Sequence, residues 1–215
     1  MQFMKNSLLD EADLLETLSL IVPLPANLQE RIKSELIIEE FTRKHLLLRP
    51  GETARRFYFI RRGFLRSYFI DRQGKERTNW FMGKGEMILS NYSFLTQKPS
   101  YGYIEVLQAA QLQSLTWHQL NAYYAEFKEG NLIGRIINQN QLLQSEEYAF
   151  LLRNSSISER HEILKNRYPD IEQLVSQYHI ASFLGISRET LSRLRRKEHK
   201  MRQQAQNGYD SARNF

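Results

Sequence analysis

The chain has 215 residues, of which 41% are hydrophobic and 25% are charged, the composition of an ordinary globular protein. No apolar run approaches the ~20 residues that a membrane-spanning helix needs, and the N-terminus does not resemble a signal peptide. Because the sequence contains no cysteine, disulfides, cysteine nucleophiles and cysteine-ligated zinc or iron–sulfur sites are excluded. These features predict a cytoplasmic protein with no membrane partner.

The formal net charge is +6, and nearly all of the excess lies in the last third of the chain. Residues 153–215 contain 12 Lys and Arg against 7 Asp and Glu. A concentrated basic segment is typical of proteins that bind polyanions. A solvated basic helix face has the same composition, so charge alone leaves both interpretations open.

The first 40 residues have the periodicity of helices, because their apolar residues recur three or four positions apart. Pro23 and Pro25 divide the pattern in two. The apolar positions that define the predicted helices are Leu8, Leu9, Leu14, Leu15 and Leu18, followed by Leu28, Ile32 and Leu36.

Residues 41–117 have the pattern of short strands. Glycines occur at positions 51, 63, 74 and 85, each in a turn-forming sequence, and the intervals between them are rich in Phe, Tyr and Ile. The predicted strands include residues 57–60, 64–70, 78–82 and 110–115. Evenly spaced strands with glycine turns predict a sandwich, barrel or jelly roll.

Helical periodicity returns after residue 118, and the longest pattern spans about residues 128–152, with apolar residues on two faces. Such a helix can pack on its own domain and on a partner, although a plain core helix has the same pattern. Residues 154–158 predict a hinge in which Ser158 caps the next helix. Residues 201–215 are polar and contain Gly208, which predicts a flexible tail.

A helix-turn-helix is predicted from Gln177 onward. The motif needs apolar or small residues at six positions where its helices touch, and a glycine in the turn. Ser187 is placed to cap the second helix, with Glu189 in the first turn near the positive end of the helix dipole. All seven required residues are present, which favours this motif over an ordinary helical hairpin: Ile180, Ala181, Leu184, Gly185, Ile186, Leu191 and Leu194.

The second helix of the motif has a charged arc. At about 100° per residue, Arg188, Glu189 and Arg193 fall within about 140°, opposite Leu191 and Leu194. Arginine bonds guanine in the major groove, and glutamate accepts a hydrogen bond from cytosine N4. A carboxylate gains nothing from phosphates, so this mixture favours base recognition over charge attraction alone.

At these residues the chain resembles the Crp/Fnr superfamily of bacterial transcription regulators, whose recognition helix begins Ser-Arg-Glu-Thr and continues to a second Arg. Residues 187–193 match that pattern. The resemblance covers most of the chain, because the family has a cyclic-nucleotide-binding-type β-roll, a long dimerisation helix and a DNA-binding domain in this order. Residues 47–52 and 57–63 are similar to the first turns of the roll, and Tyr-Pro-Asp at 168–170 resembles the Bacteroidetes-type branch.

The resemblance implies an α+β protein. Its parts are an N-terminal double-stranded β-helix (jelly-roll) sensor domain with flanking helices at 1–127, a dimerisation helix at 128–153, a helix-turn-helix domain at 154–200 and the tail at 201–215. It implies a homodimer that regulates transcription at a pseudo-palindromic operator in double-stranded DNA, with RNA polymerase as a further partner. The expected base contacts are Arg188, Glu189 and Arg193, and the expected phosphate contacts are Ser187, Thr190, Gln177, Tyr178, Arg196 and Lys197.

Two departures from the family pattern affect these expectations. Cyclic nucleotide binders hold the ribose with a Glu after Gly and the phosphate with an Arg some ten residues later. Gly85-Glu86 matches the first feature, but Ser100 stands where the Arg is expected. Without that arginine, the site lacks a bidentate, charge-assisted contact to the phosphate. We therefore predict an effector pocket at Glu86, Ser100 and Tyr101 for an unknown ligand. The second departure is that no β-hairpin wing is predicted after Lys197.

Three alternatives to this function can be compared, and the first two remain open. A cyclic-AMP-responsive activator would need Lys98 or Arg66 to replace the missing arginine. A sensing or scaffold protein would bind another protein, rather than DNA, through its C-terminal domain. A cupin-type enzyme needs two close histidines and a carboxylate, whereas the predicted roll contains only His45, with His118 just beyond it. We therefore predict no enzyme activity, no catalytic residue and no metal site, and the sequence assigns no certain cofactor, with a cyclic nucleotide left open only by the first alternative.

Overall fold

The structure, a computed structural model, describes the backbone of residues 12–213 and the side chains in that range except those of 199, 201, 202 and 204–213. The predicted helical positions Leu8 and Leu9 lie outside the described residues. The chain forms two compact units, Met1–Phe150 and Leu151–Phe215. Among the described helices, none is long and apolar enough to cross a membrane.

The first unit begins with two short helices, α1 (Leu14–Ile21) and α2 (Ala26–Glu35), which bury Leu14, Leu18, Leu28 and Ile32. The prolines separate them as predicted. The expected helical region was too long at its C-terminal end, because a strand starts at Ile37. Two consecutive isoleucines at positions 37 and 38 favour an extended backbone over another helical turn.

An antiparallel β domain follows. Its elements are β1 (Ile37–Phe41), β2 (Leu46–Leu48), β3 (Arg56–Ile70), β4 (Glu76–Met82), β5 (Met87–Ile88), the short helix α3 (Asn91–Thr96) and β6 (Tyr103–Thr116). Strand β6 pairs with β1, β2 and β3, and β3 also pairs with β4 and β5. This arrangement confirms the prediction of an N-terminal antiparallel β domain followed by helices.

Gly63 is a bulge within one strand and not a turn between two. The segments 57–60 and 64–70, predicted as separate strands, both belong to β3. Gly63 has φ +106°, and the β3–β6 register shifts on both sides of it. A Cβ atom at this position would lie 2.5 Å from Cβ of Ala110, so a glycine lets β6 pass and pairing continue.

Replacing Gly63 with alanine will lower the free energy of unfolding of the β domain by about 3 kcal/mol or more, since both the backbone angle and the lack of space oppose a side chain. Gly74→Ala is the matched control. Gly74 also has positive φ, +76°, but a Cβ added there would meet no atom within 4 Å, so the expected loss is about 1 kcal/mol. Equal losses in urea unfolding would contradict the steric role of Gly63.

Two helices follow the β domain. Helix α4 (Trp117–Glu126) is followed closely by α5 (Lys128–Asn154), a 27-residue helix that matches the predicted long pattern. One face of α5 packs on the β domain, where the Tyr148 ring lies 5.0 Å from that of Trp80. The other face exposes 61% of Leu143 and 64% of Phe150.

The second unit is helical throughout its described part, with α6 (Ile157–Arg167), α7 (Ile171–Leu174), α8 (Gln177–Leu184) and α9 (Arg188–Arg213). The cap of α6 is Ser156 and not the predicted Ser158, because Ser156 and Glu159 form a reciprocal capping box. The predicted tail at 201–215 is also corrected, since α9 continues to Arg213. Gln and Ala are good helix formers, and extending a helix is easier than starting one, so Gly208 does not end it.

Candidate nucleic-acid interface and sensor site

The turn between α8 and α9 has the geometry that the sequence predicts. Gly185 adopts φ +73°, and the Ile186 N–H donates to the carbonyl of Ala181 at 3.0 Å, which closes a Schellman motif. A Cβ added at Gly185 would meet no atom within 4 Å, so the backbone angle and not lack of space requires glycine. Four of the six predicted contact residues are buried, and Ile186 and Leu194 are half-buried.

The first turn of α9 is held by Ser187. The Ser187 hydroxyl oxygen accepts a hydrogen bond from the Thr190 N–H at 3.1 Å and lies 3.1 Å from the Thr190 hydroxyl. Hydrogen bonds from the backbone N–H of Glu189 and from the Ser187 hydroxyl lower the pKa of the Glu189 carboxyl, with help from Arg188 and Arg193. Glu189 is therefore ionised at neutral pH and can accept a hydrogen bond.

The predicted base-contacting residues Arg188, Glu189 and Arg193 are all exposed on α9, as are Arg196 and Lys197. The ion pairs that α9 makes with other described side chains involve Arg195 and Glu198 instead. At the start of α8, Gln177 and Tyr178 are exposed too. The arrangement presents four cations and one carboxylate on the open side of α9, free to contact a polyanion.

A partly buried cluster centred on His161 stabilises the position of α9. His161 on α6 is fully buried, with Nδ1 3.0 Å from the Glu198 carboxylate, and Lys165 Nζ donates to the same carboxylate at 2.5 Å. Burial raises the pKa of Glu198, but the hydrogen bonds from Lys165 and His161 outweigh it and the net pKa is lowered. Arg195 donates to Glu172 on α7 at 2.7 Å. Helix α9 is thereby tied to both α6 and α7.

His161 and Glu198 lie 37 positions apart in the chain. A contact between such distant residues leaves no local pattern in the sequence, and this cluster was therefore not predicted. The i, i+4 spacing of His161 and Lys165 on a helix was the single clue, since it places them on one face. One consequence is that Glu198, although it lies in the basic segment, faces the interior of this unit. The outer surface of α9 is therefore more positive than its composition suggests.

In the β domain, Glu86 belongs to the turn that precedes β5. Its carboxylate accepts a hydrogen bond from the Gly83 N–H at 2.7 Å, and its carbonyl accepts one from the Ile60 N–H at 3.0 Å. The side chain thus stabilises a turn next to β3.

Ser100 and Tyr101 lie in the loop between α3 and β6. The Ser100 hydroxyl is buried, 3.0 Å from the Gly102 carbonyl and 3.3 Å from the Ser90 hydroxyl. Tyr101 is exposed and its ring lies 4.7 Å from that of Tyr92. The contacts of Ser100 and Tyr101 therefore involve residues different from those of Glu86.

Arg66 is the buried cation of the β domain, and its guanidinium is already bonded. It donates to the carboxylates of Glu76 at 2.6 Å and Glu105 at 2.5 Å, and to the Thr78 hydroxyl at 3.2 Å. The guanidinium also lies 3.9 Å from the centre of the Tyr68 ring. Two carboxylates around one arginine leave a net negative cluster, which disfavours a phosphate.

These residues do not fit the phosphate of a cyclic nucleotide. Arg66 is the cation that could have replaced the missing arginine from inside the domain, and it is bonded to two acids. The other suggested substitute, Lys98, is exposed.

Comparisons with known proteins agree with this architecture. The family model of the cyclic nucleotide-binding domain matches residues 38–127. The anaerobic regulatory protein of Haemophilus influenzae is 24% identical over 191 residues, which cover 81% of this chain and 73% of that protein. The anaerobic regulatory protein of Pasteurella multocida is 24% identical over 190 residues, or 81% of this chain and 68% of that protein.

Solved structures share the fold at low identity. A Eubacterium rectale protein described as a transcriptional regulator of the Crp/Fnr family has a TM-score of 0.69 at 16% identity, covering 86% of this chain and 88% of that one. FixK2 from Bradyrhizobium japonicum has a TM-score of 0.65 at 16% identity, covering 77% and 85%. The c-di-GMP responsive regulator CLP of Xanthomonas campestris has a TM-score of 0.63 at 16% identity, covering 82% and 92%.

Proposed function

We propose that this protein is a homodimeric, sequence-specific DNA-binding regulator of transcription. Two findings support the proposal: residues 38–127 match the family model of the cyclic nucleotide-binding domain, and the chain shares the fold of Crp/Fnr regulators. The observation that supports it best is the exposed side of α9. There Arg188 and Arg193 flank Glu189 on a helix held by the Gly185 turn. Arginine and glutamate side chains together can distinguish base pairs in the major groove.

The remaining contacts in this proposal position the helix on the phosphates. Arg196 and Lys197 lie further along the same exposed arc of α9, and Gln177 and Tyr178 lie at the start of α8. Ser187 and Thr190, at the N-terminus of α9, complete the set of phosphate contacts. Contacts of this kind fix register and contribute most of the salt-dependent affinity.

Dimerisation through α5 is the second part of the proposal. Ile136, Leu143 and Phe150 are spaced by seven residues and form one stripe, with Leu142 beside it. Leu143, Phe150 and Leu142 are exposed, the last by 63%. A heptad stripe of this kind is buried when two helices pair. A two-fold axis along α5 would present two recognition helices to successive major grooves, about 34 Å apart.

Regulation by the sensor domain is the third part. Arg66 is bonded to two carboxylates and does not fit the phosphate of a cyclic nucleotide, so the proposed effector is a different molecule. Its binding to the β domain would shift α5 between two arrangements. Contact with RNA polymerase would couple operator binding to transcription.

The test is selection of binding sites from a randomised DNA library with the purified full-length protein at about 150 mM salt. The expected result is enrichment of a pseudo-palindrome with half-sites about 10–10.5 base pairs apart, centre to centre, or a multiple of that spacing. The affinity for the selected site should fall steeply with added salt. Absence of any enriched sequence would favour a C-terminal domain that binds protein.

A further inference from the structure

A cavity lies in the first unit, between the β domain and the helices around it. Its volume is about 190 Å³, and its walls are contributed by helices α1 to α5 and by β3, β5 and β6. Glu86, Ser100 and Tyr101 do not line it. It is therefore distinct from the effector pocket that the sequence predicted.

The wall of the cavity is uncharged. Sixteen of its twenty lining residues are aliphatic, aromatic or glycine, and the others are the amides Asn91, Asn121, Asn138 and Gln141. Three of these four amides belong to exposed residues, so they lie at the rim together with the exposed Leu95, whereas the other apolar lining residues are buried or half-buried. A chamber of this composition favours a neutral ligand with an apolar body.

Close packing between α4 and α5 prevents this space from closing. A Cβ at Gly130 would lie 2.6 Å from the Tyr123 carbonyl oxygen, and a Cβ at Gly134 would lie 2.5 Å from the Tyr124 ring. The two helices already touch through these glycines, so α5 cannot move nearer to α4 to fill the void. Protein interiors seldom keep voids larger than a water molecule, and a void held open in this way is a candidate binding site.

Tyr124 shows how apolar this region is. Burial raises the pKa of its phenol to about 12. The Tyr123 hydroxyl, by contrast, donates a hydrogen bond to the Glu35 carboxylate at 2.7 Å, so its proton is already used within the protein.

We propose that this cavity binds a small neutral molecule, a monocyclic aromatic or branched aliphatic compound of about ten heavy atoms with a polar group that faces the amides Asn138 and Gln141. The size follows from volume, because a cavity of about 150 Å³ lined by Leu, Ile and Phe accepts benzene. The ligand contacts α4 and α5 together, so it acts on the helix that is proposed to pair in the dimer. This regulatory role rests on the proposed function, whereas the binding site itself does not.

The binding site is tested by calorimetry on the full-length protein with phenylacetamide and its charged isostere phenylacetate. We expect phenylacetamide to bind with a Kd on the order of 1 mM or tighter, the range for a ligand of about ten heavy atoms, and phenylacetate to bind at least about 10-fold more weakly. Absence of phenylacetamide binding at about 10 mM, well above that Kd, would overturn the site. Equal binding of the two compounds would overturn the assignment of a neutral ligand.

Two variants locate the binding. Leu95 lines the cavity and is 61% exposed, so Leu95→Trp obstructs the entrance without disturbing the core, and should weaken binding markedly. Leu20→Trp makes the same change at a leucine that is 72% exposed and outside the cavity, and should leave binding unchanged. Equal effects of both variants would contradict binding in the cavity. Because both leucines are exposed, melting temperatures near that of the parent are expected.

A second readout comes from the tryptophans, which are Trp80 and Trp117. Trp117 lines the cavity, so in the Trp80→Phe variant phenylacetamide should change the remaining emission, and an unchanged spectrum at saturation would contradict the site. The regulatory role is tested by DNA affinity with and without phenylacetamide. Binding without an effect on DNA affinity would remove that role and leave the site. Failure to bind DNA would remove the proposed function, and calorimetry would still decide on the site.

Discussion

Replacing Arg188 with alanine will make the free energy of binding to the selected operator less favourable by about 1–3 kcal/mol per half-site. Binding to non-specific DNA should stay nearly unchanged. The reason is that a bidentate arginine–guanine contact discriminates against the wrong base by about that amount. Affinities for the operator and for operators changed at single base pairs, measured by fluorescence anisotropy at fixed salt, will show the loss. Preference should relax at one base position in each half-site.

Lys197→Ala is the matched control for this experiment. Lys197 is exposed on the same helix but is assigned to the phosphates, so its removal should weaken all sequences alike. The plot of log affinity against log salt should become less steep, its negative slope shrinking in magnitude by about one per protomer. If Arg188→Ala instead weakened every sequence equally, Arg188 would be a phosphate contact and the base-contacting set would be wrong.

The second large effect is expected on α5. The double variant Leu143→Glu with Phe150→Glu should sediment as a monomer at micromolar concentration and bind the operator at least about 10²-fold more weakly. Both side chains lie largely in solvent, 61% and 64% exposed, so the substitutions should not unfold the first unit. They place like charges opposite each other across a paired helix.

Leu20→Glu is the corresponding control, because Leu20 is an exposed leucine on α1, outside the proposed interface. It should leave both the sedimentation coefficient and the operator affinity unchanged. A double variant that remained dimeric would move the interface away from α5. A monomeric variant with full operator affinity would show that DNA binding does not depend on pairing.

The elements with the strongest local patterns could be predicted from the sequence. Gly185 and the apolar residues around it specify a helix-turn-helix because positive φ in a tight turn and burial between two helices both restrict residue type. The length of α5 followed from its apolar period. Ser156 was missed as the cap of α6 because Ser158 offers the same side chain, and only the reciprocal contact with Glu159 distinguishes the two.

The parts that could not be predicted depend on tertiary contacts. The bulge at Gly63 looks like a turn unless Ala110 of β6 is known to pass beside it. The bonding of Arg66 to Glu76 and Glu105 joins three strands, so the sequence left Arg66 as a candidate for holding a phosphate. The cavity is lined by residues from position 18 to position 141, and no segment of the chain predicts it.

The contact of Gly134 with α4 also determines how far the end of α5 moves when the helix tilts. Gly134 rests on Tyr124 and fixes one point, and Phe150 lies about sixteen residues further along, or about 24 Å at about 1.5 Å per residue. A tilt of about 5° about Gly134 would move Phe150 by about 2 Å, while atoms one turn from the pivot would move by about 0.5 Å. A displacement near Gly134 that is no larger than a thermal fluctuation therefore corresponds to a shift at Phe150 that is large enough to misalign packed side chains.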